Sequence, residues 1–124
     1  MASETLHEDP AKLGPAGIDR HRAIVSLMEE LEAVDWYDQR AAATGDGELR
    51  AILIHNRDEE KEHASMVLEW LRRQDAVLDA NLRKYLFTEG PIGAREAAAT
   101  ATSAPAAAAN DDLAIGSLRA ALEG

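Results

Sequence analysis

Apolar residues recur every three or four positions along two long stretches of the chain. From about Ile18 to Ala43, Ile24, Leu27, Met28, Leu31 and Val34 fall on one stripe of a helix. From about Glu48 to Arg73, Leu49, Leu53, Ala64, Val67 and Leu71 repeat the pattern. At a rise of about 1.5 Å per residue, each helix is roughly 38 Å long. Thr44-Gly45-Asp46-Gly47 breaks the periodicity between them, with Asp46 placed to cap the second helix. A connection this short makes the two helices antiparallel neighbours. A third stretch, Asp79 to Thr88, carries Leu82, Tyr85 and Leu86 and predicts a helix of about two to three turns, stopped by Gly90-Pro91. Trp36, Tyr37, Trp70 and Tyr85 sit at helix-like places, and no segment alternates as a strand would, so the pattern predicts an all-α chain.

The flanks read differently. Residues 1–14 mix Glu, Asp, Pro and Gly without a period and predict a flexible lead-in, with Pro15 suited to a nearby helix start. Between Pro91 and Asp112, ten of twenty-two residues are Ala, interleaved with Thr, Ser and Pro, which predicts a linker because almost nothing there is bulky enough to bury. Bulky apolar residues return in LAIGSLR, 113–119, which reads as a docking tag. The expected organisation is a lead-in over 1–14, a helical domain over 15–90, a linker over 91–112 and a tag over 113–124.

Composition narrows the chemistry. With 23 acidic residues against 13 basic ones the formal charge is −10, so a nucleic-acid backbone would be repelled. No cysteine is present, which excludes disulfides, thiolate catalysis and cysteine-based metal sites; a metal would have to be held by Asp, Glu and the four His. No apolar run approaches the ~18 residues of a membrane span, and the acidic start lacks the basic and apolar regions of a signal peptide. The expected location is the cytoplasm.

Two carboxylates fall where apolar residues belong. On a wheel of about 100° per residue, Glu30 lies within about 60° of Ala23, Leu27, Val34 and Tyr37. Glu60 lies within about 20° of Leu49, Leu53, Val67 and Leu71. Both are expected to be buried. His63 follows Glu60 by three residues, so its ring can reach the same point in space, and the pair forms a Glu-x-x-His motif. Buried carboxylates must be protonated, paired or metal-bound, and neither stripe offers a Lys or Arg. Oxygen donors with one imidazole suit iron or manganese. The competing reading is an ordinary solvated acidic helix, which two such positions on successive helices make harder to hold.

The stoichiometry is informative. Di-iron bundles take a Glu from each of two helices and a Glu-x-x-His from each of the other two. This chain has one of each, so a two-fold dimer would complete a site with Glu30, Glu60 and His63 from each subunit, and would bury more apolar surface than one hairpin can. Tyr37, two turns beyond Glu30, is placed either to hydrogen-bond a ligand carboxylate and act as a redox-active phenol or to pack in the core. Glu29 and Glu32, with Trp36 one turn on, face elsewhere and are either a solvated face or a weak attractor of divalent cations. Residues 29–62 hold eleven acids and four bases, −7 of the total −10, as cation steering would want. His55 is expected at a helix or subunit surface, and Met66 and Trp70 within the bundle or between dimers.

The runs VSLMEELEAVDWYDQR (25–40), ILIHNRDEEKEHASMVLEWLRR (52–73) and LRKYLFTEGPI (82–92), together with the terminal LAIGSLR, closely resemble the encapsulated ferritins, ferritin-like proteins carried inside encapsulin nanocompartments. The resemblance implies a hairpin subunit whose dimer recreates a ferritin-like four-helix bundle, ten chains forming a ring. It implies a ferroxidase that oxidises Fe2+ to Fe3+ at a di-iron centre across the dimer, two irons per interface, with mineral stored in the surrounding encapsulin shell. It also implies Glu30, Glu60 and His63 as iron ligands, Trp36 and Tyr37 as neighbouring aromatics, and a secondary Fe2+ or Ca2+ site at Glu29 and Glu32. Leu113, Ile115, Gly116 and Leu118 correspond to its shell-targeting peptide. A non-catalytic metal-binding cargo protein and a peroxide-consuming di-metal enzyme stand as alternatives.

Overall fold

The computed structural model describes residues 5–96, and its elements are three helices: α1 (Pro10–Ala43), α2 (Gly47–Gln74) and α3 (Ala76–Tyr85), with a further helical turn over 92–96. Among the described residues there is no strand, as the apolar periodicity predicts. Leu113, Ile115, Gly116 and Leu118, with most of the expected linker, lie outside the described residues. No described helix is long and apolar enough to cross a membrane. The chain divides into two compact units between Leu71 and Arg72.

In the first unit α1 starts earlier than its periodicity suggests. Asp9 caps it by accepting a hydrogen bond from the Ala11 N–H at 2.9 Å, and Pro10 occupies the first turn, where no N–H is needed. One turn later the helix breaks at Gly14, whose φ of 75° is open to a residue without Cβ. Pro15 then restarts the helix, so the sequence signal near 15 marks a break within α1 and not its beginning. Asp46 caps α2 as expected, its carboxylate accepting from the Leu49 N–H at 2.9 Å.

The antiparallel hairpin is tied at successive levels. Nearest the turn, Arg50 donates to the carbonyl oxygens of Ala41, at 3.0 Å, and Thr44, satisfying acceptors that the end of α1 leaves open. Further along, Arg57 donates to Asp38 across the helices at 2.8 Å and to its neighbour Asp58 at 3.0 Å. Next come Glu30 and His63, and beyond them a groove lined by Arg22, Ala23, Met66, Val67 and Trp70. Positions rise along α2 as they fall along α1.

Little of this hairpin is shielded. The buried apolar residues in the whole described chain are Ala41, Ala64, Leu71 and Ala80, none of them an aromatic or a long aliphatic chain apart from Leu71. Leu27, Val34, Leu53 and Val67 are half-buried, while Ile24, Leu31, Leu49, Ile52, Met66 and Trp70 are exposed. Met66 and Trp70 therefore line an open groove in the single chain rather than a packed interior.

In the second unit α3 runs three residues earlier at both ends than its apolar pattern suggests. Asp75 starts it by accepting from the N–H groups of Val77 and Leu78 at 2.9 and 3.0 Å. It stops at Tyr85 because Leu86 turns extended and Phe87 takes a φ of 59°, a region that bulky residues rarely occupy. Thr88 closes the end by donating its hydroxyl to the Tyr85 carbonyl at 2.7 Å. Here Asp79 lies between two arginines, accepting from Arg72 and, at 3.0 Å, from Arg83.

Candidate metal centre

Glu30 comes from the middle of α1, and Glu60 and His63 from one turn of α2. Their common azimuth on the apolar stripes, which helix geometry alone dictates, brings the three side chains together where the hairpin closes. His63 Nδ1 lies 3.3 Å from Glu60 Oε1 and 3.5 Å from Glu30 Oε1. One ligand atom from each residue falls within 4.8 Å of the others, the separation one cation can span. Two carboxylate oxygens and one imidazole form a donor set suited to iron or manganese, and they fit a metal while leaving it short of a full coordination shell.

Neither carboxylate is fully buried in the single chain. Side-chain exposure is 25% at Glu30, 24% at Glu60 and 41% at His63, against the burial expected from the wheel. The reason is that two helices can flank a side chain but cannot enclose it. Among the described residues no Lys or Arg pairs with either Glu. The two carboxyls instead face each other, with ligand oxygens within 4.8 Å, close enough to share a proton through a hydrogen bond. That bond, aided by partial burial and the nearby Glu60 charge, holds Glu30 above the usual carboxylate range. The same bond lowers Glu60, with His63 adding to the effect against desolvation. His63 is raised, first by its hydrogen bond to Glu60 and then by the surrounding carboxylate charges. A metal bound here would compete with protons at Glu30 and His63, the two groups whose protonated forms the cluster favours.

The other expected residues stand apart from this cluster. Glu29 is exposed and Glu32 half-buried, and neither joins the Glu30, Glu60 and His63 group. Trp36 is exposed and Tyr37 half-buried; the contact found at both rings is with the Arg40 guanidinium. His55 is exposed at the surface of α2, with Nε2 3.8 Å from Glu59. Glu59 was not singled out by pattern, yet its other oxygen lies 3.9 Å from His63 Nε2. The signal was present as four-residue spacings, His55 to Glu59 and Glu59 to His63, which place the three in a row along one face.

Residues 5–89 match the family model described as EncFtn-like. The chain is 60% identical over 127 residues to the encapsulated ferritin-like protein of Rhodospirillum rubrum, a match covering 96% of this chain and 91% of that protein. It is 37% identical over 84 residues to the encapsulin nanocompartment cargo protein EncB of Myxococcus xanthus, covering 68% of this chain and 52% of that one. A crystal structure of a Nitrosomonas europaea protein superposes with a TM-score of 0.68 at 59% identity, covering 70% of this chain and 96% of the other. Such agreement over the hairpin that carries the Glu, Glu and His donors leaves one assignment: the chain belongs to the ferritin-like EncFtn family.

Proposed function

We infer that the protein is a ferroxidase, oxidising Fe2+ to Fe3+ at a di-iron centre made by two copies of the chain. The observation that carries this reading is the meeting of Glu30, Glu60 and His63 within 4.8 Å, with no Lys or Arg among the described residues paired to either carboxylate. Three donors are half of the set that a ferritin-type di-iron bundle uses, so a two-fold partner supplies the remainder. The exposed apolar residues of the hairpin, Ile24, Leu31, Leu49 and Ile52 among them, favour the same partner, because one hairpin leaves them in water. Five dimers of this kind assemble further into a ring of ten chains.

Iron is the substrate. Glu30 and Glu60 present anionic oxygens, which favour the more highly charged ferric ion, and His63 presents a neutral nitrogen once its proton has left. Two Fe2+ give up two electrons, dioxygen and two protons take them up as hydrogen peroxide, and two Fe3+ remain. Tyr37 and Trp36 lie one to two turns from Glu30 on the same helix, and Glu29 and Glu32 supply a weaker entry-side attraction for cations. Encapsulation is suggested by the names of the relatives and by the LAIGSLR segment. Leu113, Ile115, Gly116 and Leu118 dock the chain on an encapsulin shell, inside which the ferric product is stored.

Anaerobic loading with Fe2+ followed by air tests the activity. A ferric absorbance that rises with catalytic turnover supports it; bound iron without turnover would favour a metal-binding cargo protein, and consumption of peroxide without net iron oxidation a di-metal peroxidase. Native mass spectrometry with and without Fe2+ should show even-numbered assemblies with two irons per dimer. Deleting residues 111–124 should leave iron oxidation intact and abolish co-assembly with the shell protein.

A further inference from the structure

Arg40 differs from other arginines of the hairpin in what faces it. Arg22 pairs with Asp19, Arg57 with Asp38 and Asp58, and Arg50 with backbone carbonyls. For Arg40 no ion pair is found among the described residues, although Asp35 and Asp38 are close in sequence and the chain carries a charge of −10. Its guanidinium carbon lies instead 5.9 Å from the centre of the Trp36 ring and 5.5 Å from that of Tyr37. Both distances fall within the ~6 Å over which a cation is drawn to an aromatic face. Spacings of four and three residues put one side chain over two adjacent rings, a geometry that a helix offers wherever two aromatic residues precede a long cation by that spacing.

A cation in the last turn of α1 is also favourable to the helix dipole. A lysine would serve that purpose equally well. Stacking on two rings at once is better suited to the flat guanidinium.

We propose that Arg40 is a positioning residue that clamps Trp36 and Tyr37 and makes electron loss from these rings, above all from the Trp36 indole, harder, so that oxidants at the site take electrons from iron instead. The physical basis is the sign of the charge. A reduced ring offers a negative face to the guanidinium; removal of one electron leaves an indole radical cation, and attraction becomes repulsion. The purpose rests on the iron oxidation inferred above, whose peroxide product can take one electron from Fe2+ to give Fe3+, hydroxide and a hydroxyl radical. That radical would take one electron from Trp36 and become hydroxide, with no bond to the protein broken.

The test uses the metal-free full chain with Trp70→Phe, which leaves Trp36 as its one indole. Azide radical generated by pulse radiolysis oxidises the indole and is reduced to azide, and equilibration with an aromatic-amine couple of known potential gives the ratio of oxidised to reduced Trp36. Arg40→Gln should raise this ratio about two- to fivefold, the factor corresponding to an exposed cation–ring contact. Arg40→Lys, which keeps the charge without the flat stacking surface, should give a ratio between those of the parent and the Gln variant. Helical circular dichroism checks the fold, and if the Gln variant loses helix, Arg40→Met, neutral and of similar length, carries the same expectation. An unchanged ratio in the neutral variant, or a Lys variant shifted as far as the Gln one, overturns the proposal. Because the measurement contains no iron, that failure leaves the ferroxidase reading standing. Full iron oxidation by a Glu60→Ala protein would remove the ferroxidase reading and leave the clamp.

Discussion

Glu30 and Glu60 in the first unit and Asp79 in the second are shielded to the same degree, with side-chain exposures of 25%, 24% and 23%. Their surroundings are opposite. Burial would push Asp79 up, but hydrogen bonds from Arg72 and Arg83 outweigh it and hold its carboxyl below the usual range. Glu30 and Glu60 face only each other and His63, and Glu30 is held above that range. A half-buried carboxylate met by arginine has its charge answered by the protein and ties two helices together. A pair met by no Lys or Arg, and only by the imidazole of His63, keeps a need for positive charge that the described residues answer only in part. Burial alone therefore does not separate a structural acid from a candidate ligand; what faces it does.

The sharpest way to break this contrast is to remove one carboxylate from each region. Glu60→Ala should lower the rate of iron oxidation by more than about 100-fold, since even the outer partners of a metal ligand are worth about 10–100-fold. Asp79→Ala should leave the rate per folded chain unchanged. Equal losses in stopped-flow assays of the two variants would erase the distinction.

Stability should show the reverse order. Asp79→Ala leaves Arg72 and Arg83 without their shared acceptor and should cost about 1–3 kcal/mol, seen in urea titrations at fixed chain concentration. Its pH dependence has a definite sign. The folded pKa of Asp79 is lowered, so its contribution is present above the ordinary value of 3.8 and is lost as pH falls through the lower folded value. Asp79→Asn should therefore flatten the acid end of the stability profile; a profile that stays parallel to the parent's would show that the arginines gain nothing from this charge.

The smallest effect is expected at Glu30. Its raised pKa means that the folded metal-free chain disfavours the ionised carboxylate, so Glu30→Gln should stabilise the metal-free protein, by about 0.5 kcal/mol or less given its partial exposure. Thermal melts of the iron-free forms would detect this, and a destabilised Gln variant would mean that the Glu30 charge is answered by something other than metal.

The meeting of Glu30, Glu60 and His63 was legible because it depends largely on angle. Glu30 and Glu60 interrupt stripes of Leu and Val, His63 lies one turn from Glu60, and a regular helix converts those spacings into proximity without further information. Asp46 was legible as a cap for a similar reason, being tied to the three residues after it. The ends of α3 were less so. Its apolar pattern begins well inside the helix, while the boundaries are set by the Asp75 cap and by the backbone turn at Phe87. The roles of Arg40 and Glu59 are hard to read from sequence because long polar side chains on an exposed face interrupt no apolar pattern, and their partners are chosen by rotamer.

By itself, then, the sequence determined the two amphipathic helices, their antiparallel connection and the azimuth shared by Glu30, Glu60 and His63, because each follows from local spacing and a short turn. Only the tertiary structure decided which charges are answered. Arg57 reaches Asp38 across the hairpin, Arg72 reaches Asp79 and Arg40 turns to two rings, so that none of these three is set against Glu30 or Glu60. Long side chains select partners through distances between helices that spacing along one chain does not contain.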